Sequence, residues 1–177
     1  MKKFTSAVWV ACLFGMVNAA DSPPASLLPH LSDGRIGTEQ VVQVEGASAT
    51  ELYSRAKAWV ANTYKSAPGV TKLDDPQGGR LVIKGVFRLT GTWHQVTVPH
   101  TWTIEVKDGR YRYSLSDLEY VEVVLNSIVR EPLEDLAAAR RTKTRDAIVG
   151  EVAVNVGLSV GGLKVAMTKP SPAASNW

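Results

Sequence analysis

The chain has 177 residues, 45% of them hydrophobic and 21% charged, with one cysteine and a formal net charge of +3. Those values exclude a disordered, collagen-like or disulfide-stapled chain, and the length suits a single domain. Composition alone leaves the activity open.

Lys2 and Lys3 precede an apolar run from Phe4 to Val17, and Asn18, Ala19 and Ala20 follow. A basic start, an apolar stretch and a small-residue exit make a secretory signal peptide over residues 1–19, with cleavage expected after Ala19 or Ala20. The run is shorter than the roughly 20 apolar residues a spanning helix needs, so no stable membrane span is expected after cleavage. The destination is the periplasm or the exterior. Removing residues 1–19 takes away two lysines and no acid, so the charge falls from +3 to +1. That near-neutral balance lacks the basic excess on which phosphate-backbone binding depends, and no nucleic-acid partner is expected. Cys12 sits within the signal behind Trp9, Val10 and Ala11, a poor lipoprotein pattern, so lipidation is not expected. The mature chain then has no thiol, which excludes thiol catalysis, disulfides and cysteine–zinc sites.

Residues 20–40 contain Pro23, Pro24 and Pro29 among serines and glycines and read as a flexible leader; residues 168–177 read as a flexible tail. The domain is expected over 41–167. It starts with a short strand in which Val42 and Val44 alternate with Gln43 and Glu45. Ser48-Ala49-Thr50-Glu51 is a capping box, in which serine and glutamate each satisfy a free backbone N–H. The helix it opens places Leu52, Tyr53, Ala56, Trp59, Val60 and Tyr64 on one side and Arg55, Lys57 and Asn62 elsewhere, and Pro68-Gly69 stops it.

Strands follow. Val70 to Asp74 is short, and Asp75-Pro76-Gln77-Gly78-Gly79 is a turn by composition. Arg80 to Thr92 alternates Leu81, Ile83, Phe87 and Leu89 against Lys84 and Arg88, with Gly85 marking a bulge or a close approach. Val96 to Lys107 runs into Asp108-Gly109, a strong hairpin signal, and Arg110 to Leu118 returns with Tyr111, Tyr113 and Leu115 on one face. Glu105, Lys107 and Arg112 are within reach of one another across that hairpin, but the expected reading is plain exposed strand charges.

Pro132 suits the first turn of a helix with Glu131, Glu134 and Asp135 near its positive end. Beyond Asp146 two templates compete. A strand aligns Val152, Val154, Val156, Leu158 and Val160; a helix aligns Val149, Val152, Val156, Val160, Leu163 and Met167. The helix fits more positions over a longer span and is preferred, weakened at Gly157, Gly161 and Gly162. Glu151, Asn155 and Lys164 interrupt it as a membrane span.

Three stretches carry a resemblance. They are Glu51-Leu52-Tyr53-Ser54-Arg55-Ala56-Lys57-Ala58-Trp59, then Leu73-Asp74-Asp75 with Gly79 and Lys84-Gly85, then Thr103 through Tyr113. In the order β-α-β-β-β-β-α they resemble the domain of unknown function 4468 across roughly residues 33–122; the last helix matches only loosely. The resemblance implies an α+β, TATA-box-binding-protein-like fold: a curved antiparallel sheet with helices packed on one face. It also implies export. It implies no activity, catalytic residue or cofactor.

Chemical constellations are few. His94 and His100 on one strand would lie about 20 Å apart unless Pro99 folds it back, and His30 lies in the leader, so no metal site is expected. Gly157-Leu158-Ser159-Val160-Gly161 matches a nucleophile elbow, yet no histidine follows His100, so the hydrolase order fails. Asp74-Asp75 is the best-placed acidic pair and reads as a turn cap. Trp93, Trp102, Tyr111, Tyr113 and Tyr120 fall on or beside the strands. Some must join Trp59 in the core; the rest are expected on the open sheet face, with Trp93, Trp102, Tyr111 and Tyr113 as binding candidates.

The sequence therefore points to a non-enzymatic binding or structural module of the cell envelope, without cofactor, contacting an unknown protein or a small apolar ligand. A homodimer through edge strands follows from a half-saddle sheet. The rival is a periplasmic hydrolase or transferase using Asp74, Asp75, His94 and Glu105, which requires those groups to converge in one pocket. Nucleic-acid binding by fold analogy ranks last and would gain from a concave face lined by Lys84, Arg88 and Arg112.

Overall fold

The computed structural model describes residues 27–91, 95–125 and 127–168, so the expected signal peptide, its cleavage point, Trp93, His94 and most of the tail lie outside the described residues. Within them the chain runs β1 (Thr38–Gln43), α1 (Ala49–Thr63), α2 (Ala67–Val70), β2 (Thr71–Asp75), β3 (Arg80–Arg88), β4 (Gln95–Lys107), β5 (Arg110–Ser116), β6 (Glu119–Val124), β7 (Ser127–Pro132), α3 (Leu133–Ala138) and α4 (Lys143–Thr168). The sheet has seven strands, all paired antiparallel, in the order β1-β5-β4-β3-β2, with β6 pairing β4 and β7 pairing β6.

β4 organises the sheet. One side pairs with β3 from Arg88↔Thr97 to Arg80↔Glu105. The other takes β6 at Gln95–Thr97 and β5 at Thr101–Lys107. Pro99 does not break the strand; it stands where β4 passes from one partner to the other, a position that tolerates a residue without an N–H.

α1 and α4 lie on one face. α1 buries Leu52, Tyr53, Ala56, Trp59 and Val60, the stripe its 3.6-residue period dictates. The helical reading of the last segment holds: α4 buries Val149, Val152, Val156, Leu163 and Met167. On this face, between the sheet and the helices, sit Leu81, Ile83, Val98, Trp102, Ile104, Tyr111, Tyr113 and Leu115. Trp59 meets Trp102 edge-on at 5.3 Å and 77°. Each large apolar side chain removed from water here contributes roughly 1.5–3 kcal/mol.

Four expectations are corrected. The leader is not wholly outside the fold: β1 begins at Thr38, Leu28 and Ile36 are buried, and the Ile36 N–H donates to Glu134 at 2.6 Å. The capping box is half made. Ser48 accepts from the Glu51 N–H at 3.2 Å, while the Glu51 carboxylate turns to Arg55 and Asp108 caps the Ala49 N–H at 2.7 Å. Arg55 is buried, donating to the Met167 carbonyl at 2.6 Å at the end of α4. Pro132 stands at the N-cap of α3 rather than inside its first turn; Glu134 and Asp135 are in that turn as expected, but Glu131 belongs to β7, paired with β6.

Candidate functional site

Alternation on each strand assigns the uncovered face. Leu81, Ile83 and Phe87 of β3 point to the helices, so Arg80, Val82, Lys84, Val86 and Arg88 point away. On β4 the outward set is Thr97, Pro99, Thr101, Thr103, Glu105 and Lys107. β5 contributes Arg110, Arg112, Ser114 and Ser116, and β1 Glu39, Val41 and Gln43. Threonine, serine, valine and charged groups make up this surface.

The proposed aromatic binding residues are elsewhere. Trp102 is 0% exposed, Tyr111 1% and Tyr113 1%, all on the helix-covered face. Their even spacing correctly puts Tyr111 and Tyr113 together, but the face they share is the core. Tyr120 is buried too. Among the described residues, then, no aromatic side chain is exposed on the open face, although Tyr111 borders the groove at one end of it.

At one end of this face lies an open groove of about 460 Å³. Its charges form a row across the strands by register: Asp75 beside Arg80, Arg80 beside Glu105, Glu105 beside Arg112. Alternate signs in paired positions attract. Arg112 Nε donates to Glu105 at 2.7 Å, Arg80 stands 3.8 Å from Glu105, and Arg112 stands 3.8 Å from Glu39. Donating to the Glu105 carboxylate raises the Arg112 pKa, so it stays charged. Glu105 and Arg112 therefore pair across the hairpin, where plain exposed charges were expected.

The next row breaks the rule. Lys107 and Arg110 are directly opposite each other, like charges at paired positions beside the Asp108-Gly109 turn, where Gly109 has φ +72°. Neither is ion-paired among the described residues. Like charges so placed repel, and the groove beside them favours an anionic group that neutralises both.

The members of the enzymatic rival do not converge among the described residues. Asp74 turns towards α1, accepting from the Tyr53 hydroxyl at 2.6 Å and the Lys57 ammonium at 2.7 Å. Those two donors, Lys57 first, hold its carboxyl below the usual range. Asp75 accepts from the Gly78 N–H at 2.8 Å and caps the turn. Glu105 is engaged on the opposite face, and His94 lies outside the described residues.

His100 is buried, not a surface ligand. Burial pushes its pKa down to about 4. Among the described residues no group of three or more His, Cys, Asp or Glu could hold a metal ion. The elbow-like Gly157–Gly161 segment lies wholly inside α4, without the preceding strand a nucleophile elbow needs.

Residues 39–121 match the family model described as a domain of unknown function (DUF4468) with TBP-like fold. No match was found among curated proteins. Among solved structures the chain is similar to a TBP-like protein from Parabacteroides distasonis, with a TM-score of 0.69 and 15% identity, covering 82% of this chain and 99% of that one. It is also similar to a DUF4468 family protein from Bacteroides ovatus, with a TM-score of 0.63 and 12% identity, covering 82% of this chain and 93% of that one. At such identities the likeness shows the fold.

Proposed function

We propose that the chain, which matches the model of a domain of unknown function (DUF4468) with TBP-like fold over residues 39–121, is a member of that family and an exported, non-enzymatic binding module of the bacterial cell envelope. The observation that carries this reading is a seven-stranded sheet that, among the described residues, is covered on one face only, with Lys107 and Arg110 in no ion pair there beside an open groove on the other face. The partner contact is this polar face, and the partner offers an acidic group there. Export is supported by Lys2, Lys3 and the apolar run from Phe4 to Val17. The destination is the periplasm or the exterior.

The test is affinity capture from the native cell envelope, comparing the natural protein with a Lys107→Glu/Arg110→Glu double variant and a Lys65→Glu control. The reading expects a co-purifying species that the double variant loses and the control keeps. A species retained by the double variant, or none at all, overturns it. Fractionation and N-terminal sequencing test export, with a new N-terminus expected at Ala20 or Asp21.

Lys84, Arg88 and Arg112 do share the open face, the feature that would favour nucleic acid. Arg112, however, is neutralised by Glu105 and Glu39. Capture of nucleic acid with steep salt dependence would move the assignment to that reading.

A further inference from the structure

The groove at the end of the open sheet face carries a definite charge. Arg80, Lys107, Arg110 and Arg112 line it against Asp75 and Glu105, a net charge of +2. Both carboxylates are committed to donors of this chain. Asp75 accepts from the Gly78 N–H at 2.8 Å, and Glu105 accepts from Arg112 at 2.7 Å with Arg80 3.8 Å away. Glu39 of β1 stands 3.8 Å from Arg112. Asp108, next in sequence to Lys107, turns its carboxylate to the Ala49 N–H at 2.7 Å, at the start of α1. The uncompensated charge therefore rests on Lys107 and Arg110.

These two residues are directly opposed in the β4–β5 ladder, so their side chains leave the sheet together with Cβ atoms roughly 5 Å apart. Two long cations so rooted can close on one group. A carboxylate or a phosphodiester brings a single charge and neutralises one of them. A phosphate monoester brings nearly two at about pH 7, with three acceptor oxygens for the ammonium and the guanidinium fork.

The space around the pair suits a small ligand. The groove holds about 460 Å³, within the range of small-molecule sites. One wall is backbone: Gly78 lines it from the β2–β3 turn, which is held against β4 where the Val106 N–H donates to the Gly79 carbonyl at 2.8 Å. With six of its lining residues charged, the groove fits a polar body attached to the anionic group.

We propose that this groove is a binding site for a phosphate monoester, held between Lys107 and Arg110. The proposal rests on the reading of the open face as the contact surface and names the acidic group that it takes. The chemistry is the same whether the monoester is a soluble small molecule or the headgroup of a lipid.

Titration of the purified protein, as cells process it, with glycerol 3-phosphate should shift the amide resonances of residues 107–110 and saturate at about millimolar concentration or below. Dimethyl phosphate and acetate, with one charge each, should bind at least about tenfold more weakly. Affinity for glycerol 3-phosphate should fall severalfold between about pH 7.5 and about pH 5, as the ligand loses its second charge near pH 6. Lys107→Gln should raise the thermal midpoint of the free protein, by relieving the like-charge pair, and yet weaken glycerol 3-phosphate binding at least about tenfold. Flotation with vesicles containing phosphatidic acid, a lipid monoester, but not with phosphatidylglycerol, a diester, assigns the group to a membrane; glycerol 3-phosphate binding without flotation assigns it to a soluble ligand. No saturation up to about 20 mM glycerol 3-phosphate, or equal binding of dimethyl phosphate, overturns the proposal. If Lys107 and Arg110 are still needed for capture from the cell envelope, the open-face reading survives that failure; capture that ignores them defeats the reading itself.

Discussion

The hydroxyl of Tyr64 lies 3.1 Å from Nε2 of His100, tying the end of α1 to the middle of β4. Nδ1 of the same ring lies 3.1 Å from the Val98 carbonyl. A carbonyl only accepts, so Nδ1 carries the hydrogen, Nε2 is bare, and the Tyr64 O–H donates to it. The ring stacks on Phe87 with centroids 3.9 Å apart. Every polar atom of this buried histidine is therefore satisfied in the neutral form.

Gly85 is the space that makes this arrangement fit. A side-chain carbon there would stand 2.5 Å from His100 Nε2 and 2.6 Å from Tyr64 Cε1. Gly85→Ala is expected to destabilise by about 1–3 kcal/mol, as overpacking does in a filled core. Urea denaturation checks it, and an unchanged midpoint would contradict the geometry.

The same histidine sets a pH dependence. Burial lowers its pKa from 6.5 to about 4, whereas the unfolded chain protonates it near 6.5. Its contribution is complete above about pH 6.5, declines as pH falls through that interval, and stops declining below about pH 4. Stability should therefore drop by about 2 kcal/mol between about pH 7 and about pH 5. His100→Gln should remove that slope, whatever it does to stability at pH 7.

Much of this core was legible in the sequence, and the reason lies in period and turn chemistry. Asp108-Gly109 fixes the β4–β5 register, which determines that Glu105 faces Arg112 and Lys107 faces Arg110. The 3.6-residue pattern separated α4 from a strand. Which side of the sheet Trp102, Tyr111 and Tyr113 occupy was not legible, because alternation groups residues without saying where the helices lie. The row from Asp75 through Arg80 to Glu105 was not legible either, because the connections 76–79 and 89–94 do not fix a register as sharply as Asp108-Gly109 does. The β6–β7 hairpin was missed because Leu125, at its turn, has no preference for turns.

That leucine yields its own test. Leu125 has φ +53° and is 95% exposed, so it bears the strain of a left-handed backbone and gains nothing from burial. Leu125→Gly should stabilise the fold by about 0.5–1 kcal/mol despite glycine's freedom in the unfolded chain. A lower thermal midpoint would count against the strained turn.

Tyr111 offers a case of the same sign in the core. Its hydroxyl is buried without a hydrogen-bond partner among the described residues, and burial pushes its pKa up to about 12. Tyr111→Phe removes a polar atom that has lost water and gained no partner, so stability should rise by about 1 kcal/mol. A loss of stability would reveal a bond to that oxygen.

Glu151 anchors α4 to the end of β3. Its carboxylate accepts from the Thr90 N–H at 2.6 Å and the Gly91 N–H at 3.0 Å. Burial pushes its pKa up, but those donors outweigh it and the net shift is downward. Glu151→Ala should cost about 1–2 kcal/mol and speed hydrogen exchange at Thr90 and Gly91, two amides left unsatisfied.

Chain order carries a consequence for how the protein is made. Among the described residues β1 pairs only with β5, Thr38 against Leu115 and Gln43 against Arg110, so the earliest described strand waits some seventy residues for its neighbour. Ile36, just before it, waits longer still, for Glu134. Until the β4–β5 hairpin emerges, the early chain has an unsatisfied strand beside an apolar helix, the state in which nascent chains aggregate. Closure of this sheet is a late event by construction, and a holding factor that shields the first sixty residues would act during that wait.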